Sequence, residues 1–322
     1  MWQSCLAVVG AAMLDFLVGD PWSWPHPVQL MGWVISQYSK LVLQHCPSQL
    51  GQKALGIILT GMMTLGSGAI AWLILYISGQ WFFPLKIILE VIMLASCFAG
   101  RSLRRAAEDV LGPLEAGDLV EARSRLSRYV GRDTESLDRA EVLRAVMETV
   151  SENAVDGVTA PLFYALVGLA LPTGPVPLAI AYKAASTLDS MVGYRRAPYT
   201  NLGWCSAKVD DLLTWLPCRL TVLSLSILSR RPKTVWKLCW RDAPKDPSPN
   251  SGWSECAYAA SVGVRLGGLN MYQGQSQQKP FVGDSLRPIT PQVISQALRL
   301  TRSCFMLWIV IALSVFAAVH YG

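Results

Sequence analysis

Long apolar runs separated by short polar stretches dominate the chain. Residues 55–77 and 303–320 contain no acidic residue, lysine or arginine, residues 1–18 contain only Asp15, and residues 82–100 contain Lys86 and Glu90. About 20 apolar residues are needed to cross the roughly 30 Å hydrocarbon core of a bilayer. We therefore predict transmembrane segments at residues 1–18, 55–77, 82–100 and 303–320.

Two further apolar stretches, residues 158–181 and 212–228, contain helix breakers. A Pro-Thr-Gly-Pro-Val-Pro run interrupts the first at residues 172–177, and Pro217 and Arg219 interrupt the second. Each stretch is either one kinked spanning helix or a re-entrant segment, and irregular backbone at membrane depth needs protein or water around it. Residues 230–302 contain eleven lysines and arginines. The positive-inside rule therefore favours re-entrant segments, with residues 101–157 and 230–302 both cytoplasmic.

The polar stretch at residues 101–157 predicts a cytoplasmic helical hairpin. Its first fifty residues contain nine arginines and ten acidic residues. Asp118 followed by Glu121 is typical of a helix start, and Gly131 is expected to end that helix. A second helix is predicted from about Ser136 to a stop at Gly157. The predicted fold class is thus an all-α, polytopic membrane protein, one domain over residues 1–322 with four to six membrane segments and a cytoplasmic loop region at 230–302.

Composition supports a membrane environment and excludes several classes of protein. Hydrophobic residues make up 52% of the 322 residues and charged residues 16%, with a formal net charge of +6. An average soluble protein has about 25% charged residues. The balance excludes a disordered chain and a nucleic-acid binder built on basic tracts. Since the eight cysteines form no C-x-x-C pair, a disulfide framework and a structural zinc site are not expected. The surplus of basic residues predicts contact with anionic lipid headgroups.

Two polar clusters lie in the first half of the chain. His26, between two prolines, follows the first apolar run, where it forms either a rigid helix-exit turn or a site with an available imidazole. In the second cluster, Glu148, Glu152 and Asp156 are spaced four residues apart and share one helix face. The spacing fits either a solvated acidic face or ligands for Mg²⁺.

Two more clusters lie in the second half. Asp189 precedes Arg195, and Asp210-Asp211 stands at the start of a membrane segment. Adjacent aspartates suit a hard cation that bridges phosphate oxygens, or they are ordinary helix N-terminal charges. The stretch from Arg241 through Ser248-Pro249-Asn250 to Glu255 is rich in turn residues. It is either scaffold or an active-site lid.

Together these motifs resemble one known family, the CobD/CbiB family of cobalamin biosynthesis, in order over nearly the whole chain. The motifs that carry the resemblance are Gly19-Asp20-Pro21, Pro25-His26-Pro27, Gly131-Arg132-Asp133-Thr134, Glu148-Thr149, Glu152-Asn153, Asp156-Gly157, Thr187-Leu188-Asp189-Ser190, Asp210-Asp211, Pro217, Arg219 and Ser248-Pro249-Asn250.

The resemblance implies an enzyme of the cell membrane whose site faces the cytoplasm. It would join (R)-1-aminopropan-2-ol, or its O-phosphate, to the f propionate carboxylate of adenosylcobyric acid. This reaction is an amide ligation, for which the family implies ATP and Mg²⁺. The implied partners are the corrinoid and aminopropanol substrates, membrane lipid and other corrin-pathway enzymes, with no nucleic acid. No P-loop or dinucleotide motif supports ATP independently.

Site roles follow from the needs of that reaction. A carboxylate must be activated before amide formation, phosphate charge must be neutralised, and the amine must lose a proton. The expected metal ligands are Glu148, Glu152, Asp156, Asp210 and Asp211. The expected bases are His26, Asp189 and Glu152. The expected substrate- and phosphate-binding residues are Arg132, Asp133, Thr134, Asn153, Arg195, Arg219 and Asn250.

A transporter of a corrinoid or a cation is the alternative from a different class of protein. Broken helices and acidic residues within apolar surroundings are typical of transporters. Transport predicts paired repeats of similar hydropathy in the two halves of the chain, and no such repeat is evident in the sequence.

Overall fold

A computed structural model describes residues 2–19, 26–194 and 197–321, with the backbone alone at 320 and 321. Over this part the protein is mainly helical, with one β-hairpin. The helices are α1 (Trp2–Leu17), α2 (Pro27–His45), α3 (Gln49–Gly61), α4 (Ser67–Trp81), α5 (Phe83–Ala95), α6 (Gly100–Glu115), α7 (Leu119–Leu126), α8 (Arg139–Ala154), α9 (Ala160–Leu169), α10 (Pro175–Val192), α11 (Trp204–Leu228), α12 (Pro232–Asp242), α13 (Ser251–Val262) and α14 (Pro291–Tyr321). The strands are β1 (Leu266–Tyr272) and β2 (Gln275–Val282).

Within the described residues, four helical segments are long and apolar enough to cross a membrane: Gln49–Trp81, Phe83–Glu115, Trp204–Leu228 and Pro291–Val319. The first joins α3 and α4 through a π-turn at Met62–Gly66, so the predicted segment 55–77 lies inside one helix of 33 residues. The helix α1 is apolar but has only 16 residues. The fold class predicted from the sequence, an all-α polytopic membrane protein, is confirmed.

The chain forms two compact units. The first unit contains Met1–Arg101, Ala160–Thr214 and Trp308–Gly322, and α10 lies at its centre, packed against α9, α4, α2 and α5. A close approach of α4 and α10 needs a small residue, because a Cβ on Gly68 would lie 2.9 Å from the Pro177 carbonyl oxygen. Residues 27–45, for which no element was predicted, form α2 here.

The break predicted within residues 158–181 is present. The helices α9 and α10 pack against each other as a hairpin whose turn lies at residues 170–174. Gly174 has a φ of 80°, and a Cβ on Gly168 would lie 2.5 Å from the Gly174 carbonyl oxygen. The structure therefore has the hairpin rather than one kinked helix, because the prolines start a new helix after the turn. That this hairpin enters the membrane as a re-entrant segment remains a prediction.

The prediction of a break within residues 212–228 is wrong. The helix α11 is continuous over 25 residues and passes through Pro217. A proline inside a helix removes the N–H that would bond to the carbonyl four residues earlier. That carbonyl belongs to Leu213, and the Tyr164 hydroxyl donates to it at 2.8 Å. Because the exposed carbonyl has another donor, the helix tolerates the proline.

The second unit contains Ser102–Thr159 and Trp215–Leu307. Asp118 accepts from the Glu121 N–H and starts α7 as predicted, but the helix ends at Leu126 rather than at Gly131. A capping box of Asp138 and Glu141 starts α8, which packs against α7. The predicted stop at Gly157 is wrong, since α8 continues through a π-turn at Val155–Thr159 into α9. The predicted cytoplasmic location of this region is untested.

Residues 230–302, predicted as loops, contain α12, α13, the β-hairpin and the start of α14. The antiparallel strands pair Tyr272 with Gln275 across a two-residue turn, in which Gln273 and Gly274 have φ of 52° and 77°. Positive φ at both positions is typical of the tight turns that suit twisted hairpins. The all-α prediction therefore lacked this hairpin. The helix α8 packs against β1 and α13, and these elements surround the polar cluster described next.

Candidate active site

A buried ion-pair network in the second unit surrounds Glu148. Its carboxylate, 1% exposed, accepts from Arg132 Nη2 at 2.5 Å, from Arg144 Nη1 at 3.2 Å and from the Gly267 N–H at 2.9 Å. Arg132 also donates to Asn270 Oδ1 at 2.9 Å. Burial works against ionisation of this carboxyl group, but the arginines lower its pKa below the ordinary value. Glu148 is therefore an ionised anchor whose two oxygens both have donors.

The local backbone explains why a glycine stands opposite Glu148. Gly267 lies at an irregularity of the β1–β2 pairing and has a φ of 89°. A Cβ at this position would lie 2.1 Å from the Pro280 carbonyl oxygen. The Gly267 carbonyl accepts from Arg144 at 3.1 Å while its N–H reaches Glu148. The bulge thus lets one backbone unit contact both partners of the ion pair.

Next to this network, Lys279 on β2 pairs with Glu255 on α13. The distance from Lys279 Nζ to Glu255 Oε1 is 2.5 Å, and the Glu255 side chain is 1% exposed. Burial raises the pKa of Glu255 to about 8, and the nearby carboxylates of Glu152 and Glu148 add to the effect. Burial works against the charge of Lys279, but Glu255, Glu152 and Glu148 raise its pKa above the ordinary value. Lys279 therefore pairs directly with Glu255 and acts on the other two glutamates through its charge.

Glu152 differs from the other two glutamates because its side chain is exposed. Among the described residues its carboxylate forms no hydrogen bond and no ion pair. Its pKa is raised, first by burial within the surrounding protein and then by Asp246 and Glu148. An exposed carboxylate with a raised pKa is expected in a recess, where water reaches the group but protein replaces much of its hydration. Glu152 is thus accessible to a ligand beside two buried ion pairs.

Arg219 is held in a fixed position near the same end of α8. Its guanidinium donates to Asn250 Oδ1 at 2.7 Å and to the Pro249 carbonyl at 2.8 Å. It lies over the rings of Trp215 and Trp253, at 5.0 and 4.9 Å from their centroids. Because the rings contact the faces of the guanidinium, the N–H groups in its plane stay available for hydrogen bonds. The structure therefore joins Arg219 to the Ser-Pro-Asn motif, a contact that the sequence analysis did not predict.

A short loop connects Arg219 to the glutamate cluster. The Asp246 carboxylate, which acts on Glu152, accepts from the Ser248 N–H at 2.8 Å and from the Ser251 hydroxyl at 3.1 Å. Ser248 in turn accepts from the Asn250 N–H at 3.3 Å. Asp156 acts electrostatically on Cys218, the residue next to Arg219. The second unit therefore brings together Arg132, Glu148, Glu152, Asp156, Arg219 and Asn250.

Three of the residues expected to bind substrate, Asp133, Thr134 and Asn153, form hydrogen bonds within the protein. The Asp133 carboxylate accepts from the Gln273 N–H at 3.0 Å and from the Gly274 N–H at 2.8 Å, which stabilises the hairpin turn. The Thr134 hydroxyl donates to the Arg123 carbonyl at 3.1 Å. Asn153 is exposed, with its amide donating to the Thr149 carbonyl at 2.9 Å. Substrate binding by these three residues stays a prediction, while their contacts within the protein indicate positioning roles.

Asp242 supports the scaffold interpretation of the stretch from Arg241 to Glu255. Its carboxylate, 2% exposed, accepts from Arg241, Lys245 and the Gly283 N–H. Burial opposes ionisation, but these hydrogen bonds lower the pKa of Asp242 to about 2. The contacts tie the end of α12 to the end of β2.

Four of the predicted residues lie in the first unit. His26 is the N-cap of α2, where Nδ1 accepts from the Val28 N–H at 3.3 Å. Asp189 and Asp211 interact electrostatically, and Asp210 lies near Tyr164. The helix-cap contact favours the rigid-turn interpretation of His26. Arg195, and Asp20 of the first motif, lie outside the described residues.

The predicted magnesium site does not fit the described part of the chain. No group of three histidine, cysteine or acidic side chains there is arranged to hold a metal ion. Both Glu148 oxygens have N–H donors from Arg132, Arg144 and Gly267, and Lys279 pairs with Glu255. Glu148, Glu152 and Asp156 therefore do not form a set of metal ligands.

Several residues of the cluster were not predicted, namely Arg144, Asp246, Glu255, Asn270 and Lys279. Glu255 had a detectable signal, because it is the one charged residue in the sequence of α13. Lys279 had none, since it follows four polar residues in a strand that resembles an exposed segment in the sequence. Its contact with Glu255 depends on the fold of the hairpin.

These features define a polytopic helical membrane protein with a polar, charged site, as expected of a membrane enzyme. The chain belongs to the CobD/CbiB family, whose sequence model, described as CobD/Cbib protein, matches residues 8–301. The cobalamin biosynthesis protein CobD of Synechocystis is 52% identical over 97% of this chain and 92% of its own length. CobD of Citrobacter koseri is 41% identical over 99% of this chain and 98% of its own, and CbiB of Salmonella typhi is 40% identical over the same shares. No solved structure matches the chain. The protein is thus a membrane enzyme of cobalamin biosynthesis.

Proposed function

We propose that this protein forms the amide bond between the f propionate carboxylate of adenosylcobyric acid and the amine of (R)-1-aminopropan-2-ol or its O-phosphate. The observation that carries the proposal is the exposed Glu152 carboxylate beside the buried Glu148–Arg132 and Glu255–Lys279 pairs. The resemblance to the CobD/CbiB family supplies the reaction, and the cluster supplies groups that suit it. The products are adenosylcobinamide or its phosphate.

Glu152 suits the amine. At neutral pH the aminoalcohol is an ammonium ion, which must lose a proton before nitrogen attacks the acyl carbon. The exposed carboxylate accepts the ammonium N–H groups and then one proton. Its raised pKa brings its proton affinity closer to that of the amine. The Glu255–Lys279 pair acts on Glu152 through its charges, with Lys279 favouring the ionised form that accepts the proton.

Arg219 suits an anionic substrate group. Its contacts with two indole rings, with Asn250 Oδ1 and with the Pro249 carbonyl fix the direction of its remaining N–H groups. A fixed fork of N–H donors matches a carboxylate or a phosphate. In this proposal Arg219 orients the substrate carboxylate or the phosphate of the aminoalcohol, while Asn250 keeps the guanidinium in place.

Activation of the carboxylate requires a further reactant. Direct condensation with an amine releases water and is unfavourable in aqueous solution, so a phosphoryl donor or a pre-activated acyl substrate must supply the leaving group. The family resemblance implies ATP with Mg²⁺, and this remains an expectation. Location in the plasma membrane with the site facing the cytoplasm, and contact with other corrin-pathway enzymes, are likewise proposals.

Purified protein in detergent tests the reaction. Adenosylcobyric acid is incubated with aminopropanol or its O-phosphate, with and without ATP and Mg²⁺, and the corrinoids are separated and weighed by mass spectrometry. We expect a product with the mass of adenosylcobinamide or its phosphate to form only when the amine is present. Because detergent abolishes compartments, this result also separates an enzyme from a transporter. The absence of the amide product under all combinations would contradict the proposal.

A further inference from the structure

The outer surface of α11 changes character at its C-terminal end. Leu216, Leu223 and Ile227 are exposed apolar side chains, at 45%, 43% and 57%. They lie on a helix long and apolar enough to span a bilayer. Such a surface is compatible with lipid chains and costly in water. The last large exposed apolar side chain of this helix is Ile227.

Basic residues begin directly after this apolar surface. Arg230 and Arg231 are both exposed, and Arg230 has a φ of 57°. The Arg230 N–H donates to the Ile227 carbonyl at 2.9 Å, and the Arg231 N–H donates to the Ser226 carbonyl at 3.1 Å. These bonds form a helix C-terminal cap. The turn therefore fixes the start of α12 at the end of α11.

The helix α12 has one buried face and one basic face. Val235, Leu238 and Cys239 are buried. Lys233, Lys237 and Trp240 are exposed and lie at helical positions i, i+4 and i+7, so they share one side. The Trp240 side chain is 68% exposed, although its ring packs edge-on against Trp253 at 5.2 Å.

We propose that Arg230, Arg231 and the α12 basic face (Lys233, Lys237 and Trp240) bind the headgroups of anionic phospholipids. The transition from exposed leucine and isoleucine to exposed arginine and lysine marks the boundary between hydrocarbon and headgroups. Tryptophan is enriched at that boundary because its ring is amphipathic. An acidic protein partner would account for the positive charge of this surface but not for its apolar features. The adjoining apolar surface of α11 and the exposed indole favour lipid.

Lipid selectivity of the full-length protein tests the proposal. The protein is reconstituted in nanodiscs containing phosphatidylcholine and phosphatidylglycerol. Native mass spectrometry then compares the amounts of the two lipids that remain bound to the protein. We expect enrichment of phosphatidylglycerol on the wild type. The variant Lys233→Gln/Lys237→Gln is expected to lose at least about fivefold of that enrichment, since each basic residue near an anionic surface contributes roughly this factor.

The variant Arg128→Gln/Arg265→Gln is the matched control, because it removes the same charge from two exposed side chains that do not adjoin a spanning helix in the chain. It should keep the wild-type enrichment. Equal melting temperatures in discs of phosphatidylcholine alone would show that the lysine variant is folded. If the lysine variant lost less than about fivefold of the phosphatidylglycerol enrichment, the proposal would be overturned and an acidic protein would be favoured as the partner. An equal loss in the control, or no enrichment on the wild type, would also overturn it.

Discussion

Three glutamates of the same cluster differ in what surrounds each carboxylate. Glu148 is buried and ionised because Arg132 and Arg144 both donate to it. Glu255 is buried against Lys279, and its pKa is raised to about 8. Glu152 is exposed, so a substrate reaches it without breaking an ion pair. In the proposed function these environments suit the first two glutamates to positioning and the third to contact with substrate.

A substitution of Glu152 tests this assignment. Glu152→Gln keeps the size of the side chain but removes the proton acceptor, and we expect amide formation to fall by at least about 100-fold, the lower end of the range for a general base. Rates of product formation by the purified variant, at saturating amine, provide the measurement.

The control is Glu135→Gln, which changes an exposed glutamate of the same unit and should leave the rate unchanged. Melting temperatures of both variants should match that of the wild type. Wild-type activity in Glu152→Gln would exclude Glu152 as the base.

Asp242 predicts a dependence of stability on pH. Its folded-state pKa of about 2 lies below the ordinary value of 3.8, so its contribution to stability is present above about pH 4 and is lost as the pH falls toward 2. A difference of this size corresponds to about 2 kcal/mol. Asp242→Asn should therefore lower the melting temperature at pH 7 and flatten its fall between pH 4 and pH 2.

Asp284→Asn is a matched control because Asp284 bonds the same arginine at 2.8 Å but is 48% exposed. Exposed ion pairs contribute little to stability. Thermal unfolding in detergent should show a clearly smaller shift for Asp284→Asn than for Asp242→Asn. Equal shifts would show that burial of Asp242 does not matter.

At the scale of elements, the β-hairpin positions the cluster. Its turn is held by Asp133, its bulge places the Gly267 amide on Glu148, and β2 carries Lys279. The hairpin is short and would be marginal alone. Its contacts with α8 and α13 provide the additional packing.

Two glycine substitutions in the hairpin should differ in cost. Gly267→Ala introduces a Cβ that would lie 2.1 Å from the Pro280 carbonyl oxygen, at a φ of 89°. Gly274→Ala has a similar φ of 77° but open space around the new Cβ. We expect Gly274→Ala to cost about 1 kcal/mol from backbone strain alone, and Gly267→Ala to cost considerably more. Melting temperatures and residual amide formation would measure both, and equal effects would contradict the role of the bulge.

At the scale of the whole molecule, the continuity of α11 changes the predicted topology. Re-entrant segments would return the chain to the side from which it came, whereas Trp204–Leu228 is long and apolar enough to cross. The residues before and after this helix should therefore lie on opposite sides of the membrane. The positive-inside rule then predicts that the C-terminal end of α11, which basic residues follow, faces the cytoplasm.

Cysteine labelling tests this crossing. Thr200 and Lys233 are exposed and flank α11, whereas the native Cys239 is buried and unsuited to labelling. In spheroplasts, a membrane-impermeant maleimide should label Thr200→Cys from outside and should label Lys233→Cys only after lysis. Both variants should retain amide formation as a control for folding. Labelling of both positions from the same side would restore the re-entrant interpretation.

The local patterns that the sequence predicted correctly are those governed by neighbouring residues. The uncharged run at residues 55–77 lies in a helix, and Asp118 caps α7. Pro217 was misleading because a local rule predicts a break, whereas the Tyr164 hydroxyl satisfies the carbonyl that the proline leaves without a donor. Gly157 predicted the end of a helix by a similar local rule, but the helix continues through a π-turn. In both cases tertiary contacts or backbone adjustment outweigh a local preference.

The sequence by itself determined the membrane environment, the helical fold class and the family, because the length of apolar segments, the placement of charges and the order of motifs are properties of the linear chain. It also predicted Glu148, Glu152, Arg219 and Asn250 as site residues. Only the tertiary structure decided what surrounds them, since the pKa and accessibility of a carboxylate depend on groups distant in sequence. Lys279 reaches Glu255 and influences Glu148 and Glu152 because the hairpin folds against α8 and α13. That lysine, with Arg132 and Arg144, brings positive charge to the glutamates from positions that the linear sequence does not relate to them.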